Sequence, residues 1–257
     1  MRNLREVYDA VAPILGDCES FEVAETVEKL RRYWRPAQVN VILLAESHVF
    51  TREEELRIAL SYETLALTGL PSQFVRFVYC LGYGERLLVS KMLKSNFGTP
   101  QFWKIFHNCC YDPSSSLASG ILVSRSKFED RLPTKIDLLK NLQSRGIWLV
   151  DASVTALYNR RGNRPKQDAV AQVLTSCWDL YIRQVMKEAS PKHIIVIGKG
   201  VGGILEARLR ADFPSRYTVL PQPQARLSAN ELRLIAFRYF SICSKFAPPS
   251  QLAGVSN

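Results

Sequence analysis

The sequence lacks the features that mark several large classes of protein. No apolar run approaches the roughly 20 residues that span a bilayer, so we expect neither an integral membrane protein nor a membrane partner. The six cysteines include no CxxC pair and no regular spacing, so the common zinc and iron–sulfur motifs are excluded and no metal is expected. No signal peptide is recognisable, and we therefore expect reduced thiols and an intracellular location, in the cytoplasm, nucleoid or nucleus.

What the chain does contain is an ordinary globular composition with an unusual charge. Its 257 residues are 47% hydrophobic and 23% charged, which is typical of a folded protein with a full core. The formal net charge is +10 and the pI is about 9.4. A basic surplus of this size favours polyanionic partners, nucleic acid first and an anionic membrane surface second, with simple solubility as the alternative.

Four apolar runs predict the strands of a parallel sheet. They cover residues 39–45, 147–151, 193–198 and 217–220, and predicted helices separate them. Strands that alternate with helices indicate a parallel sheet with helices on both faces. Open parallel sheets bind ligands beyond the carboxyl ends of their strands. The polar residues that follow these runs are therefore the first candidates for a functional site.

The domain prediction is a single α/β unit with additions at both ends. Residues 1–37 are predicted to form an N-terminal helical extension, residues 38–246 the α/β domain, and residues 247–257 a flexible tail. Within the domain we predict further helices over residues 51–67, 134–144, 167–189, 201–211 and 228–246.

Gly198-Lys-Gly200-Val-Gly-Gly203 is a literal GxGxxG between a predicted strand and a helix. In a dinucleotide-binding fold these glycines let pyrophosphate approach the helix N-terminus. The next strand ends in Leu220 rather than in the acid that such folds place on the ribose, and only about 54 residues follow the motif. We therefore prefer tight strand-to-helix packing as the reason for the glycines. A P-loop is excluded because no Lys-Ser/Thr pair follows them, and no cofactor is expected.

Glu46, Ser47 and His48 follow the first predicted strand and supply a carboxylate, a hydroxyl and an imidazole. Such a cluster is suited to general acid–base work or to orienting a water molecule. The alternative is that these polar residues cap the next helix. Neighbours in an extended segment point in different directions, so the three do not form a triad by themselves.

Asp151 ends the second predicted strand, where an acid either contacts a ligand or caps a helix. The loop beyond it combines one aromatic residue with four cations, a composition suited to base stacking and phosphate contacts. A solvated surface loop is the alternative interpretation. The residues concerned are Tyr158, Arg160, Arg161, Arg164 and Lys166.

The order of these segments resembles the uracil-DNA glycosylase superfamily. In that family an apolar strand ends in a water-activating motif, and here Ala45-Glu46-Ser47-His48 stands at that position. Trp148-Leu-Val-Asp151-Ala-Ser-Val-Thr155 stands at the strand that carries the base-reading Asn, and Ile194–Lys199 stands at the third strand. The segment from Leu220 through Leu227-Ser228-Ala229 stands near the last motif. The resemblance spans residues 38–240 and implies a three-layer α/β/α fold around a short parallel sheet.

The resemblance also implies roles for particular residues. Glu46, Ser47 and His48 would be catalytic, with Glu46 or His48 orienting the water. Asp151 would bind the base, with Tyr62 as the ring that stacks on it. Nucleic acid, most simply DNA, would contact the basic loop and a further set comprising Lys199, Gln222, Gln224 and Arg226. Lys199 or Arg226 would also offset the charge of the leaving base.

Two departures from the family pattern bear on the chemistry. Leu220 stands where the family has the His that stabilises the departing base, and Asp151 stands where it has Asn. An ionised carboxylate only accepts hydrogen bonds, so it opposes uracil O4 and suits an edge with donors, such as guanine N1–H and N2–H. Either the ligand is not uracil, or Asp151 is protonated, or the pocket is no longer a uracil pocket.

The sequence thus predicts a divergent uracil-DNA glycosylase-like protein that binds nucleic acid. Its activity would be hydrolysis of the N-glycosidic bond of a modified or mismatched base. Two alternatives stay open: a catalytically silent nucleic-acid-binding module, and an enzyme that acts on a small nucleotide or another phosphorylated substrate.

Overall fold

The computed structural model describes residues 3–61, 67–91, 93, 95–114, 121, 127–222 and 227–249. These residues form a mixed α/β fold whose strands are β1 (Val41–Ala45), β2 (Ile147–Asp151), β3 (His193–Ile197) and β4 (Tyr217–Leu220). The helices are α1 (Leu4–Leu15), α2 (Phe21–Tyr33), α3 (Glu53–Leu56), α4 (Pro100–Cys110), α5 (Phe128–Arg145), α6 (Gln167–Cys177), α7 (Arg183–Ala189), α8 (Lys199–Asp212) and α9 (Ala229–Phe246).

The four strands form one parallel sheet in the order β2-β1-β3-β4. The register pairs Val41 with both Ile147 and His193, so the strands start level and their carboxyl ends lie at one edge. This confirms the parallel sheet that the four apolar runs predict. Every residue of β1, β2 and β3 is buried, which shows that helices and loops cover both faces of the sheet.

The helices pack in two groups. Helix α6 contacts both α1 and α8, and α4 packs against both α5 and α9. The predicted long helix over residues 167–189 is present as α6 and α7, joined by one π-helical segment at Trp178–Ile182. None of the described helices is both long enough and apolar enough to cross a membrane.

Two glycines allow the backbone of a helix or turn to lie close to the sheet. Gly146 ends α5 in the left-handed conformation (φ 77°), and a Cβ there would lie 2.5 Å from the carbonyl oxygen of Gln38. In the glycine-rich segment, a Cβ on Gly202 would lie 2.6 Å from Val219 Cγ1, whereas Gly200 and Gly203 face open space. Tight packing of α8 on β4 therefore requires Gly202, which is not one of the three glycines of the GxGxxG pattern.

The predicted helix over residues 51–67 is wrong. Helix α3 ends at Leu56, and Ala59 and Leu60 instead form isolated antiparallel bridges with Gln73 and Val89. Burial accounts for the difference, because Leu60 is only 6% exposed and an extended backbone places it in the core. Thr51 does not cap α3, since its hydroxyl accepts a hydrogen bond from the Arg76 N–H.

The N-terminal helices share the core of the sheet. Val7, Val11, Val27 and Leu30 belong to the same hydrophobic cluster as the strands. At the other end, Ala247 is buried and its carbonyl accepts a hydrogen bond from Arg145 Nε at 2.8 Å. Residues 250–257 of the predicted tail lie outside the described residues.

Candidate functional site

A pocket of about 330 Å³ opens at the carboxyl edge of the sheet, and we call it the strand-end pocket. All four strands contribute to it, through the segment that follows β1 and through residues at or beyond the ends of β2, β3 and β4. The aromatic part of its wall comes from three rings on other segments. The lining includes Glu46, Ser47, His48, Asp151, Ile197, Gln222, Phe77, Phe102 and Tyr158. The structure thus brings Glu46, Ser47, His48, Asp151 and Gln222 of the predicted site around one pocket.

Glu46 pairs with the basic loop. Its Oε1 accepts a hydrogen bond from Arg164 Nη2 at 2.5 Å, and Arg164 also lies over the ring of Tyr158, 5.7 Å from the ring centroid. The carboxylate side chain is 11% exposed and the guanidinium 33% exposed. Burial acts to lower the pKa of Arg164, but the bonds to Tyr158 and Glu46 outweigh it and raise that pKa. Glu46 is therefore a pocket carboxylate that is paired with a partly exposed cation.

Asp151 is fixed from below by the second helix. Arg31 Nη2 donates to Asp151 Oδ2 at 3.2 Å, and Arg31 Nη1 donates to Glu28. Both Arg31 and Asp151 side chains are 2% exposed. The neighbouring carboxylates more than compensate for the burial of Arg31, so its pKa is raised. Among the described residues no donor reaches Asp151 Oδ1, which leaves that oxygen for a ligand.

His48 lies fully buried beneath the pocket. Its Nε2 bonds to Glu19, and its Nδ1 lies 3.7 Å from Asp151 Oδ2. Burial alone would lower the pKa of His48, but the Glu19 and Asp151 carboxylates outweigh it and raise the pKa to about 9. The imidazole is therefore a cation at neutral pH, and it has no lone pair with which to take a proton from water.

Glu19 precedes α2 and holds this part of the site together. Its Oε1 accepts from the Ala156 N–H at 2.9 Å and its Oε2 from the Thr51 N–H at 3.1 Å. The charges below the pocket balance, because three carboxylates meet three cations: Glu19, Glu28 and Asp151 with Arg31, Arg32 and His48.

The remaining predicted residues are more scattered. Ser47 Oγ accepts a hydrogen bond from the Leu157 N–H at 3.3 Å. Arg160 and Arg161 line a neighbouring cavity. Lys166, which precedes α6, and Lys199, which begins α8, are both exposed. Tyr62, Gln224 and Arg226 lie outside the described residues.

Sequence reasoning missed the aromatic wall and the buried cation. Phe77 lines the pocket and packs edge-to-face against His48, with ring centroids 6.2 Å apart, and Phe102 comes from the first turn of α4. Both belong to the aromatic-rich stretch over residues 72–110, whose composition alone could have suggested a ring-lined wall. Nothing in the local sequence of α2 indicates that Arg31 reaches Asp151, 120 positions away.

The pocket offers a few polar groups that could bind a small polar ligand. Thr99 Oγ1 is buried without a hydrogen-bond partner among the described residues, and Thr99 lines the pocket together with Gln101 and Gln222. With Asp151 Oδ1 these give a few polar groups on a largely apolar wall, which is typical of small-ligand pockets. Within the described part of the chain, no group of three or more His, Cys, Asp or Glu side chains could hold a metal ion.

Comparison with known proteins leaves the chain without a family assignment. The resemblance in motif order therefore remains an expectation about fold and function. No model of a known protein family matches this chain, and no curated protein matches it.

Proposed function

We propose that this chain binds nucleic acid, takes one base out of the strand into the strand-end pocket, and hydrolyses its N-glycosidic bond. The observation that carries the proposal is the contact between Arg164 and Glu46, since it places the basic loop at the same pocket as a carboxylate suited to activating water. The fold proposed is the three-layer α/β/α arrangement of the uracil-DNA glycosylase-like proteins.

The pocket suits a base in size and in chemistry. Its volume of about 330 Å³ lies at the lower end for small-ligand pockets. Phe77, Phe102 and Tyr158 offer ring faces or edges, and enzymes that act on a base read it by stacking and by bonds to its polar edge.

The surface charge suits a polyanionic strand. The formal net charge is +10, Arg164 bonds to the pocket residue Glu46, and Arg160 lines an adjoining cavity. Arg164 is 33% exposed, so a strand phosphate could reach it without unfolding the loop. Phosphate contacts of this kind supply most of the affinity of non-specific nucleic-acid binding.

In the proposed reaction Glu46 orients a water that attacks C1′ of the sugar as the C1′–N bond breaks, and it offsets the positive charge that develops on the sugar. Glu46 takes up the water's proton, and the base leaves with the bonding electron pair and is protonated by solvent. His48 would not share that role, because its raised pKa keeps it protonated. It would instead hold Asp151 from below together with Arg31. Asp151 Oδ1 would accept a hydrogen bond from an N–H on the base, which favours a guanine-like edge and disfavours uracil.

The test is base release from a panel of oligonucleotides that carry uracil, hypoxanthine, xanthine or mismatches, scored as abasic sites. Release of any base by the native chain, lost in Glu46→Gln, would support the proposal. Binding that weakens steeply with salt but releases no base would favour a catalytically silent module. The absence of any DNA affinity at low salt would point to a small phosphorylated substrate.

A further inference from the structure

A cavity of about 520 Å³ adjoins the strand-end pocket, and it is distinct from the cavity lined by both Arg160 and Arg161. Val49, Arg76, Tyr158 and Gly162 line both the pocket and this adjoining cavity, so the two spaces are adjacent. We call this adjoining cavity the side groove. A ligand that fills the pocket and continues past Tyr158 would enter it directly.

The floor of the side groove is apolar. Ile58 is 6% exposed and Leu93 is 9% exposed, and the half-buried ring of Phe50 lies beside them. Tyr158, at the boundary with the pocket, is 40% exposed. Exposed ring faces beside an apolar floor are surfaces on which bases stack with little regard to sequence.

The side groove is lined by charges of both signs, and two of its cations are weakly paired. The charged residues are Arg52, Glu54, Glu55, Arg76, Lys91 and Arg160. Arg76 is fully engaged, because Glu55 binds its guanidinium through both oxygens, at 2.7 and 2.9 Å. Lys91 is exposed and forms no ion pair within the described residues. Within the part of the chain that the structure describes, the ion-pair partner of Arg160 is the distant Asp17, at 3.7 Å, and the Arg160 side chain is 61% exposed. Lys91 and Arg160 are thus available to phosphate.

We propose that the side groove is a second nucleotide subsite, which holds the neighbour, in the same strand, of the nucleotide whose base enters the pocket. The neighbour's base would lie on Phe50 and Tyr158, and its phosphate would meet Lys91 and Arg160. This inference rests on the proposed function, which places the first base in the strand-end pocket. The ligand would then be a strand of at least two nucleotides that is single-stranded at this point.

The test is calorimetric titration of the full chain with deoxyguanosine monophosphate, its dinucleotide and its trinucleotide. The dinucleotide should bind about five- to tenfold more tightly than the mononucleotide, the lower part of the range that one stacked base provides. Lys91→Ala should weaken dinucleotide binding about threefold and reduce its salt slope by roughly 0.7, the value for one phosphate contact on a single strand. Phe50→Leu, which keeps an apolar side chain and removes the ring, should also remove much of the gain.

The matched control is Lys140→Ala, which removes an exposed lysine of α5 that does not line either cavity. Mononucleotide binding should be the same in the native chain and in all three variants. If the mononucleotide binds but the dinucleotide binds no more tightly, the side groove is not a subsite and the proposed function stands. A gain that persists in both Lys91→Ala and Phe50→Leu would overturn the location. If no nucleotide or oligonucleotide binds at low salt, both proposals are wrong.

Discussion

Arg164 Nη2 lies 2.5 Å from Glu46 Oε1, so the basic loop is tied to the carboxylate at the end of β1. The two residues are 118 positions apart and come from loops that follow neighbouring strands. From this pairing we expect two states of the site once a nucleic-acid strand binds. In one, Arg164 neutralises Glu46; in the other, a phosphate takes Arg164 and leaves the carboxylate free.

The first prediction is that Glu46→Gln tightens binding to single-stranded DNA. Loss of the carboxylate frees Arg164 for a phosphate, and an exposed charge contact of about 0.7 kcal/mol corresponds to roughly threefold in affinity. Fluorescence anisotropy at low salt measures the change. Arg164→Ala should cost more affinity in the Glu46→Gln background than in the native chain. Equal losses in the two backgrounds would show that Arg164 and Glu46 act independently.

The second prediction compares two adjacent arginines on α2. Arg31→Ala should lower the free energy of unfolding by about 3–5 kcal/mol, because it removes the buried cation that bonds to both Asp151 and Glu28. Arg32→Ala, whose side chain is 60% exposed, should cost no more than about 1 kcal/mol. Urea unfolding of both variants provides the comparison. Equal, small costs for the two would mean that Asp151 is not held by Arg31.

The third prediction concerns stability at alkaline pH. Because the pKa of His48 is raised from 6.5 to about 9, its contribution is complete below about pH 6.5 and disappears as the pH rises through 9. The amount is on the order of 3 kcal/mol, since one pKa unit corresponds to 1.36 kcal/mol. His107 and His193 have lowered pKa values, so they titrate below this window.

The corresponding measurement is the free energy of unfolding at several pH values between 6.5 and 8.5, for the native chain and for His48→Asn. The native chain should lose stability across the window and the variant should lose much less. Parallel curves would show that His48 is neutral in the folded protein.

The fourth prediction concerns the loop cations that do not touch Glu46. Replacing Arg160 and Arg161 together by Ala should weaken DNA binding and flatten its salt slope by roughly one to two units, since each phosphate contact releases about one counterion. Replacing Arg208 and Arg210 of α8 by Ala removes the same charge elsewhere and is the control. A slope that stays the same in the loop variant would assign Arg160 and Arg161 to solvent exposure.

How far the sequence predicts this structure depends on the range of the interactions involved. The strands at 41–45 and 193–197 follow from continuous apolar runs, and the end of α5 follows from Gly146, because both signals are local. The predicted helix over 51–67 fails because Leu60 is buried through contacts that its neighbours do not reveal. Asp151 could be placed at the strand-end site, but its bond to Arg31 joins distant parts of the chain and has no local signature.

The central claim is that a base of the bound strand occupies the strand-end pocket, and photocrosslinking tests it most directly. The probe is a single-stranded oligonucleotide with one 6-thioguanine, which keeps the N–H groups that would donate hydrogen bonds to Asp151. Under long-wave ultraviolet light the thioguanine crosslinks to nearby side chains. Peptide mapping should place the crosslink on Phe77, Phe102 or Tyr158, which line the pocket. Crosslinks that fall only on surfaces away from the pocket, such as the exposed Leu234 and Phe237 of α9, would contradict the account.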